Sequence, residues 1–202
     1  MSTASAPQVI LASSSPRRRE LLTQIGVRHR VVPADIDETL RSGEAPEDYV
    51  LRLAREKAER VWQQSSAAPR LPVLGADTAV VQDGIVFGKP AHRAAALAML
   101  GRLSGRAHQV LSAVALVGEH GSDARLSLST VRFRPLAPAE CAAYWDSGEP
   151  RDKAGAYAIQ GRGAEFIEYL AGSYSGVMGL PLFETAALLR AAGVLPGAQV
   201  AA

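Results

Sequence analysis

Short apolar runs alternate along the chain with amphipathic stretches, and the two patterns predict strands and helices in turn. Runs rich in Val, Leu and Ile that end in turn residues are typical of strands. Apolar residues that recur every three or four positions, often after Pro or Ser, are typical of helices. The strand pattern occurs at residues 9–11, 28–32, 71–81, 85–87, 108–117, 126–134 and 166–170. The helix pattern occurs at residues 16–25, 46–62, 92–103, 138–147 and 179–189.

The first predicted helix begins with an unfavourable arrangement of charge. Ser15 can cap it, and Pro16 at the first position loses no hydrogen bond. Arg17, Arg18 and Arg19 then crowd a turn where the helix dipole is already positive. An anion bound there is the simplest relief, because free amides, serine hydroxyls such as Ser13 and guanidinium groups form a phosphate site. Alternatively, the arginines extend into water at a cost of roughly a few tenths of a kcal/mol.

Charged residues also interrupt the second helix and the loop before it. Lys57 falls on the apolar face of the helix, one turn from Leu53 and Val61. Its ammonium group either follows its own stem out to water or points into a polar cleft, and the spacing favours the first. The preceding loop, residues 34–39, carries three carboxylates, including Glu38. It is either a solvated connection or a site for magnesium or manganese.

The most strand-like segment, residues 71–81, contains two polar residues. Burying Asp77 and Thr78 in an apolar run is costly unless both are hydrogen-bonded or used in function. A two-residue hairpin turn leads to a short strand, after which Lys89 can share a cleft wall with Asp77. Asp77 could equally be a structural, hydrogen-bonded carboxylate. Arg106 and His108 are further candidates to face the same cleft.

Composition limits the classes of protein that the chain can belong to. It has 202 residues, 48% hydrophobic and 21% charged, which is enough for one large core. The single cysteine, Cys141, excludes an intramolecular disulfide and fits a buried position in a helix. A net charge of +2 and 5% aromatic residues argue against nucleic-acid binding. No apolar run of membrane-spanning length and no secretory leader is apparent, so we expect a cytoplasmic protein.

Seven short segments stand out along the chain. They are Leu-Ala-Ser-Ser-Ser-Pro-Arg-Arg (11–18), Leu-Ala-Arg-Glu-Lys-Ala (53–58), Gly-Ala-Asp-Thr (75–78), Gly-Lys-Pro (88–90), His-Gln-Val (108–110), Asp-Lys-Ala-Gly-Ala-Tyr-Ala-Ile-Gln-Gly (152–161) and Gly-Leu-Pro-Leu (179–182). One of them lies in a loop of mixed glycine and polar residues, a composition found both in binding loops and in ordinary long turns. Taken together in their order, the seven segments resemble the Maf family of nucleoside triphosphate pyrophosphatases, and the resemblance covers about residues 9–192.

The resemblance implies a fold, an organisation and a reaction. The fold is α/β, of the Maf/ITPase-like kind, with a mixed, elongated central sheet flanked by helices and two lobes around a cleft. We expect one domain over residues 9–193, with flexible ends at 1–8 and 194–202, and the resemblance implies that the protein is a homodimer, as many family members are. The reaction is hydrolysis of a nucleoside triphosphate to the monophosphate and pyrophosphate with a divalent metal, Mg²⁺ or Mn²⁺.

The resemblance also assigns roles to individual residues. Asp77 matches the family's proposed proton acceptor, and Arg17, Thr78 and Gln160 match positions linked to substrate specificity. Lys57, Lys89 and Glu38 match polar positions of the cleft. We expect the triphosphate to lie on the turn from Ser13 to Arg18, with the metal held by Asp77 and Glu38. Ser14 departs from the family, in which many members have glycine there.

The loop sequence at residues 152–161 is similar to that of the branch acting on dTTP and UTP. The Gln160 amide offers a donor beside an acceptor, complementary to the O4 and N3–H edge of uracil or thymine. Cytosine presents the reversed pattern, so a fixed amide would leave polar groups unpaired. Such an enzyme would limit incorporation of unwanted nucleotides. The alternative is a nucleotide-binding regulator of septum formation with little physiological hydrolysis, and pyrophosphate release distinguishes the two.

Overall fold

The computed structural model describes residues 6–66 and 69–196, and they form one mixed sheet with helices packed around it. The strands are β1 (Val9–Leu11), β2 (His29–Val31), β3 (Val73–Gln82), β4 (Ile85–Phe87), β5 (Ala107–Gly118), β6 (Gly121–Phe133) and β7 (Ile167–Ala171). The helices are α1 (Pro16–Gln24), α2 (Pro46–Gln64), α3 (Arg93–Leu103), α4 (Pro138–Asp146), α5 (Tyr174–Met178) and α6 (Leu182–Ala191). Short 3₁₀ turns lie at Glu149–Asp152, Ala154–Ala156 and Arg162–Phe166.

The sheet has a parallel part and an antiparallel part that meet at β3. Its strand order is β2-β1-β3-β5-β6-β7, with β4 paired to β3. β1 runs parallel to both β2 and β3, whereas β3, β5, β6 and β7 pair antiparallel. The mixed α/β fold with flanking helices that the resemblance implied is therefore confirmed.

One edge of β3 is open at its centre. β1 pairs with this edge only as far as Leu74, and β4 pairs with it only from Val80 onward. Between these points, residues 76–79 have no strand partner on that edge within the described chain, although β5 pairs along the opposite edge. The gap leaves the middle of a central strand without a neighbouring strand at the place where β1 ends and α1 begins.

α2 packs unusually close to β3 on one face of the sheet. A Cβ atom at Gly75 would lie 2.2 Å from the Ala54 carbonyl oxygen and 2.8 Å from the Ala58 nitrogen, so no side chain fits there. The apolar face of α2, including Leu53, Ala54 and Ala58, is fully buried. This close contact sets α2 against the open stretch of β3.

The opposite face of the sheet carries two further parts of the core. One packs α1 and α6 against β1, β3 and β5 through residues such as Leu22, Leu74 and Leu189. The other packs α3 and α4 against β5 and β6 through residues such as Leu103 and Phe133. Cys141 is buried in α4, as predicted. Among the described residues, none of the helices combines the length and apolar character that a bilayer-spanning helix needs.

Several predicted elements differ in extent from those observed. β6 begins at Gly121 rather than at residue 126, because pairing with β5 continues to a two-residue turn between Gly118 and Gly121. α5 was not predicted, and α6 begins at Leu182 with Pro181 as its cap rather than at residue 179. Of the termini predicted to be flexible, residues 1–5 and 197–202 lie outside the described residues, while Gln8 Nε2 donates to the Val194 carbonyl oxygen at 3.1 Å.

Candidate active site

A cleft of about 490 Å³ opens beside the unpaired stretch of β3. This volume lies within the range of roughly 300–1,000 Å³ found for small-molecule sites. Five basic and three acidic side chains line it, so the cleft has a formal charge of +2 from these groups. They are Arg17, Arg18, Lys57, Lys89 and Lys153, with Glu38, Asp77 and Asp152. Because of this net positive charge, the cleft is suited to an anionic ligand.

The turn between β1 and α1 forms one wall of the cleft. Ser15 caps α1, its hydroxyl accepting from the Arg18 amide at 3.5 Å, as the sequence predicted. Ser13 Oγ accepts from the Ser15 amide at 3.2 Å and from Arg18 Nη1 at 3.1 Å. The turn therefore fixes one guanidinium group beside the amino end of a helix, where anions bind well.

The two cleft arginines also contact the carboxyl end of α5. Arg17 Nε donates to the Met178 carbonyl oxygen at 3.2 Å, and Arg18 Nε donates to that of Gly179 at 2.8 Å. Burial lowers the pKa of Arg18, against the opposing charge of Asp77. Carbonyl oxygens at a helix end carry partial negative charge, so they offset part of the arginine crowding without any ligand. The sequence did not reveal this second source of relief.

Lys57 joins two carboxylates inside the cleft. Its Nζ atom lies 2.7 Å from Asp77 Oδ1 and 2.7 Å from Glu38 Oε1. The Lys57 and Asp77 side chains are only 8% and 11% exposed, whereas Glu38 is 48% exposed. Burial alone would raise the pKa of Glu38, but the hydrogen bond and charge of Lys57 outweigh it and lower that pKa. The preference for a solvent-directed Lys57, based on helical spacing, was wrong.

The loop that carries Glu38 is fastened to α2 at that residue and just after it. Tyr49 Oη donates to the Glu38 carbonyl oxygen at 3.0 Å, and Arg52 Nη2 donates to that of Thr39 at 3.1 Å. Arg52 also contacts the Glu44 carboxylate through Nε at 2.5 Å and Nη2 at 2.8 Å. α2 therefore supplies Lys57 and also positions the carboxylate that faces it.

Thr78 links β3 to the segment after α5. Its hydroxyl lies 2.8 Å from Ser112 Oγ, and Ser112 Oγ donates to the Gly176 carbonyl oxygen at 2.5 Å. The Thr78 hydroxyl also donates to the Gly179 carbonyl oxygen, at 3.4 Å, which is the same oxygen that Arg18 contacts. Thr78 thus contacts one of the two carbonyl groups that orient the arginines.

The far wall of the cleft comes from the loops after β4 and α4. Lys89 and Gln160 are exposed there, and the Gly155 amide ties the two loops together by donating to the Gly88 carbonyl oxygen at 3.1 Å. Lys153 pairs with the neighbouring Asp152. The wall thus presents charged side chains and one side-chain amide to a ligand in the cleft.

Comparison with known proteins identifies the family. The family model described as Maf-like protein matches residues 8–192. The chain belongs to the Maf family. A protein named dTTP/UTP pyrophosphatase from Bordetella parapertussis is 56% identical over 197 residues, covering 95% of both chains. Proteins of the same name from Methylobacillus flagellatus (53%, covering 95% of this chain and 96% of theirs) and Methylococcus capsulatus (57%, covering 93% and 92%) are similarly close.

Among solved structures, the Staphylococcus aureus Ham1 protein shares 14% identity with this Maf protein, with a TM-score of 0.39 over 62% of this chain and 71% of that one. This similarity is too low to support an argument about the cleft residues.

The structure of this Maf protein brings nine of the eleven residues predicted to face a cleft to one site. Nine residues named from the sequence line it: Ser13, Arg17, Arg18, Glu38, Lys57, Asp77, Thr78, Lys89 and Gln160. Arg106 and His108 do not line it. Arg106 pairs with exposed Asp83 on the hairpin, and His108 is buried behind Tyr157, with His108 Nε2 2.9 Å from Tyr157 Oη. Expecting them to face the cleft was wrong, because Asp83 draws Arg106 to the hairpin and Tyr157, which lines the cleft, covers His108.

Four residues with ionisable side chains line the cleft but were not predicted as site residues. They are Tyr49, Asp152, Lys153 and Tyr157. Asp152, Lys153 and Tyr157 lie within the glycine-containing segment that resembles the family, so the segment itself was the available indication. Tyr49 gave no such indication, because an aromatic residue in the first turn of an amphipathic helix is usually explained by packing.

The carboxylates of the cleft fit a divalent cation only in combination with a ligand. Within residues 6–66 and 69–196, no group of three or more His, Cys, Asp or Glu side chains could hold a metal by itself. Lys57 contacts Asp77 through Oδ1 and Glu38 through Oε1, which leaves Oδ2 and Oε2 outside these contacts. Mg²⁺ is commonly held by one or two carboxylates together with substrate phosphates, and these residues fit that pattern.

Proposed function

We propose that this Maf protein is a pyrophosphatase that hydrolyses dTTP and UTP to the monophosphate and pyrophosphate. The observation that carries the proposal is the placement of a carboxylate, Asp77, among the basic groups of a cleft with the size and charge for a nucleotide. Support also comes from the relatives named dTTP/UTP pyrophosphatase, which are 53–57% identical over nearly the whole chain.

In the proposed complex, the triphosphate lies against the turn between β1 and α1. The Ser13 hydroxyl, the amides at the start of α1 and the guanidinium groups of Arg17 and Arg18 bind its oxygens. Lys57 and Lys89 offset further negative charge from α2 and from the loop after β4. Phosphoryl-type transfer depends mainly on such positioning and charge stabilisation, so no covalent intermediate is needed.

Asp77 acts as the proton acceptor in this proposal. A water molecule attacks the α-phosphorus, its proton passes to Asp77, and the bond from the α-phosphorus to the oxygen bridging to the β-phosphorus breaks. Pyrophosphate leaves with that bonding pair. Lys57, 2.7 Å from Asp77 Oδ1, orients the carboxylate, while the unshared Oδ2 stays available to the water.

The proposed cofactor is Mg²⁺ or Mn²⁺, held by Asp77 and Glu38 together with the phosphates of the substrate. Such an ion would offset charge on the phosphates and polarise the phosphorus under attack. Glu38 depends on Tyr49 and Arg52 for its place, so these two residues of α2 would govern how well the ion is bound.

Base selection is assigned to Gln160 on the far wall. Its amide can pair with the O4 and N3–H edge of uracil or thymine, and cytosine would oppose donor to donor and acceptor to acceptor. The proposed enzyme is a cytoplasmic homodimer that limits incorporation of unwanted nucleotides. Sedimentation of the purified protein would test the dimer separately from catalysis.

A panel of nucleoside triphosphates tests the function. Purified protein with Mg²⁺ or Mn²⁺ should release pyrophosphate and the monophosphate from dTTP and UTP, and release them at least tenfold more slowly from CTP and GTP. Nucleotide binding without pyrophosphate release would instead support a regulatory role in septum formation. A preference for guanine nucleotides would contradict the assignment of Gln160 but leave pyrophosphate hydrolysis in place.

A further inference from the structure

Two side chains outside the cleft hold the loop that carries Gln160. Tyr144 Oη, at the end of α4, accepts from the Ala158 amide at 3.0 Å and donates to Glu149 Oε1 at 2.6 Å. Glu149 Oε1 also accepts from the Gly163 amide at 3.1 Å, and Oε2 accepts from the Arg162 amide at 2.9 Å. The pair therefore binds the backbone two residues before Gln160 and again two and three residues after it.

The loop is shaped to accept this pair. A Cβ atom at Gly161 would lie 2.4 Å from Glu149 Oε2, and one at Gly163 would lie 2.7 Å from Tyr144 Oη. Glycine at both positions lets the carboxylate and the phenol approach the backbone directly. Tyr144 itself is 2% exposed and packs edge-on against Phe166 at 4.9 Å, so the anchor is rigid.

Tyr144 is protonated and Glu149 is charged at neutral pH, as their hydrogen bonds require. Burial raises the pKa of Tyr144, with a further contribution from Glu149, so the phenol remains a donor at neutral pH. Burial alone would raise the pKa of Glu149, but the hydrogen bonds from Tyr144 and from the Arg162 and Gly163 amides lower it. A charged acceptor thus meets three donors, the strong form of hydrogen bond.

Gln160 has no such support of its own. Its side chain is exposed at the cleft, and its amide makes no hydrogen bond to any part of the chain that the structure describes. The position of that amide in the cleft therefore depends on where the backbone of the loop is held. To distinguish the donor and acceptor edges of a base, a binding group must be held to within about 0.5 Å in position and about 10–20° in orientation.

We propose that Tyr144 and Glu149 are positioning residues for base selection, which act by fixing the backbone on both sides of Gln160. The inference rests on the proposed function, because it concerns how the same cleft distinguishes pyrimidines. Neither residue touches the substrate, and neither lines the cleft. Loosening the pair should leave the phosphate-binding wall intact and let Gln160 accept cytosine as well as uracil.

Tyr144→Phe and Glu149→Gln test the proposal with little change of shape. The phenylalanine leaves the Ala158 amide without its hydrogen-bond acceptor. The glutamine places the NH₂ group of its side chain, a donor, opposite a backbone N–H that is also a donor. In each variant kcat/KM is measured for UTP and CTP with Mg²⁺, and Kd for both nucleotides by calorimetry with Ca²⁺. We expect the UTP-to-CTP ratio to fall at least tenfold by both measures, mainly through weaker UTP binding.

Two controls separate positioning from general destabilisation. Leu103→Ala disturbs the same core from α3 without removing a hydrogen bond to the loop, so it should lower the melting temperature and leave the ratio unchanged. In a Gln160→Ala background, Tyr144→Phe should change the ratio no further, because the group being positioned is gone.

The outcomes distinguish the two proposals. No pyrophosphate release by the unmodified protein would overturn the proposed function, while the calorimetric ratio would still test the positioning. A UTP-to-CTP binding ratio near one in the unmodified protein, or one unchanged in both folded variants, would overturn the positioning role. So would an equal effect of Tyr144→Phe with and without Gln160.

Discussion

Lys57 Nζ lies 2.7 Å from Asp77 Oδ1, and this ion pair connects α2 to the open stretch of β3. The contact is possible because Gly75 lets the helix approach the strand two residues earlier. Both charged side chains are about nine-tenths buried, so each depends on the other for compensation of its charge. The pair is therefore both a structural element and the centre of the proposed chemistry.

Asp77→Asn should abolish turnover while the protein stays folded. The amide has the same shape as the carboxylate but cannot accept the water's proton. We expect at least about a thousandfold loss of kcat, as is typical when an essential proton-transfer group is removed. The measurement is pyrophosphate release from dTTP, with circular dichroism to verify folding. Ordinary activity in a folded variant would disprove the assignment.

Lys57→Met should destabilise the protein and inactivate it. It leaves Asp77 and Glu38 facing each other without a cation, at a cost of about 3 kcal/mol for breaking a buried pair. Urea unfolding at pH 7 gives the free energy of unfolding. Lys89→Met removes the same charge from an exposed position and should change stability by less than about 0.5 kcal/mol. Adding Asp77→Asn to Lys57→Met should restore part of the loss; a further decrease would contradict this account.

Arg52→Gln should loosen the loop that carries Glu38. The change removes the contacts to Glu44 and to the Thr39 carbonyl oxygen, so amides in residues 38–45 should exchange hydrogen faster. Metal affinity should fall about tenfold, as for other residues that orient a ligand. Arg55→Gln, exposed on the same helix, is the matched control. Equal exchange rates in the two variants would refute the role given to Arg52.

His108 should make the protein less stable in mild acid. Burial lowers its pKa from the ordinary 6.5 to about 4, so between these values the unfolded chain binds a proton that the folded protein does not. Stability is therefore greatest above pH 6.5 and falls by about 3 kcal/mol as the pH drops to 4. His108→Gln should flatten that part of the unfolding profile. His120→Gln, on the exposed hairpin turn, should leave the slope as it is.

Much of the fold and site could be predicted from local sequence. Pro16 after Ser15 marked the start of α1, and the apolar spacing of Leu53 and Val61 marked α2, because helix caps and periodicity are local properties. The cleft residues were named from short segments resembling one family, and all nine meet in one cleft. Their chemical roles remain predictions that the variants above test.

Other features depended on partners distant in the chain. β6 extends to Gly121 through residues with no strand-like pattern, because β5 supplies the hydrogen bonds. Lys57 points into the cleft because it forms ion pairs there with Asp77 and Glu38. The spacing of residues along one helix cannot show such partners. Nothing in the sequence indicated a role for Tyr144 and Glu149, because their hydrogen bonds to the backbone at residues 158, 162 and 163 form only in the folded chain.

The sequence by itself determined most of the strands and helices and indicated which polar residues need a chemical explanation. Only the tertiary structure decided where the charges go: the Arg18 guanidinium to the carboxyl end of α5, and Lys57 to a carboxylate on β3. The physical reason is that backbone preferences act over a few residues, whereas a charge takes its direction from whatever opposite charge the folded chain brings near it.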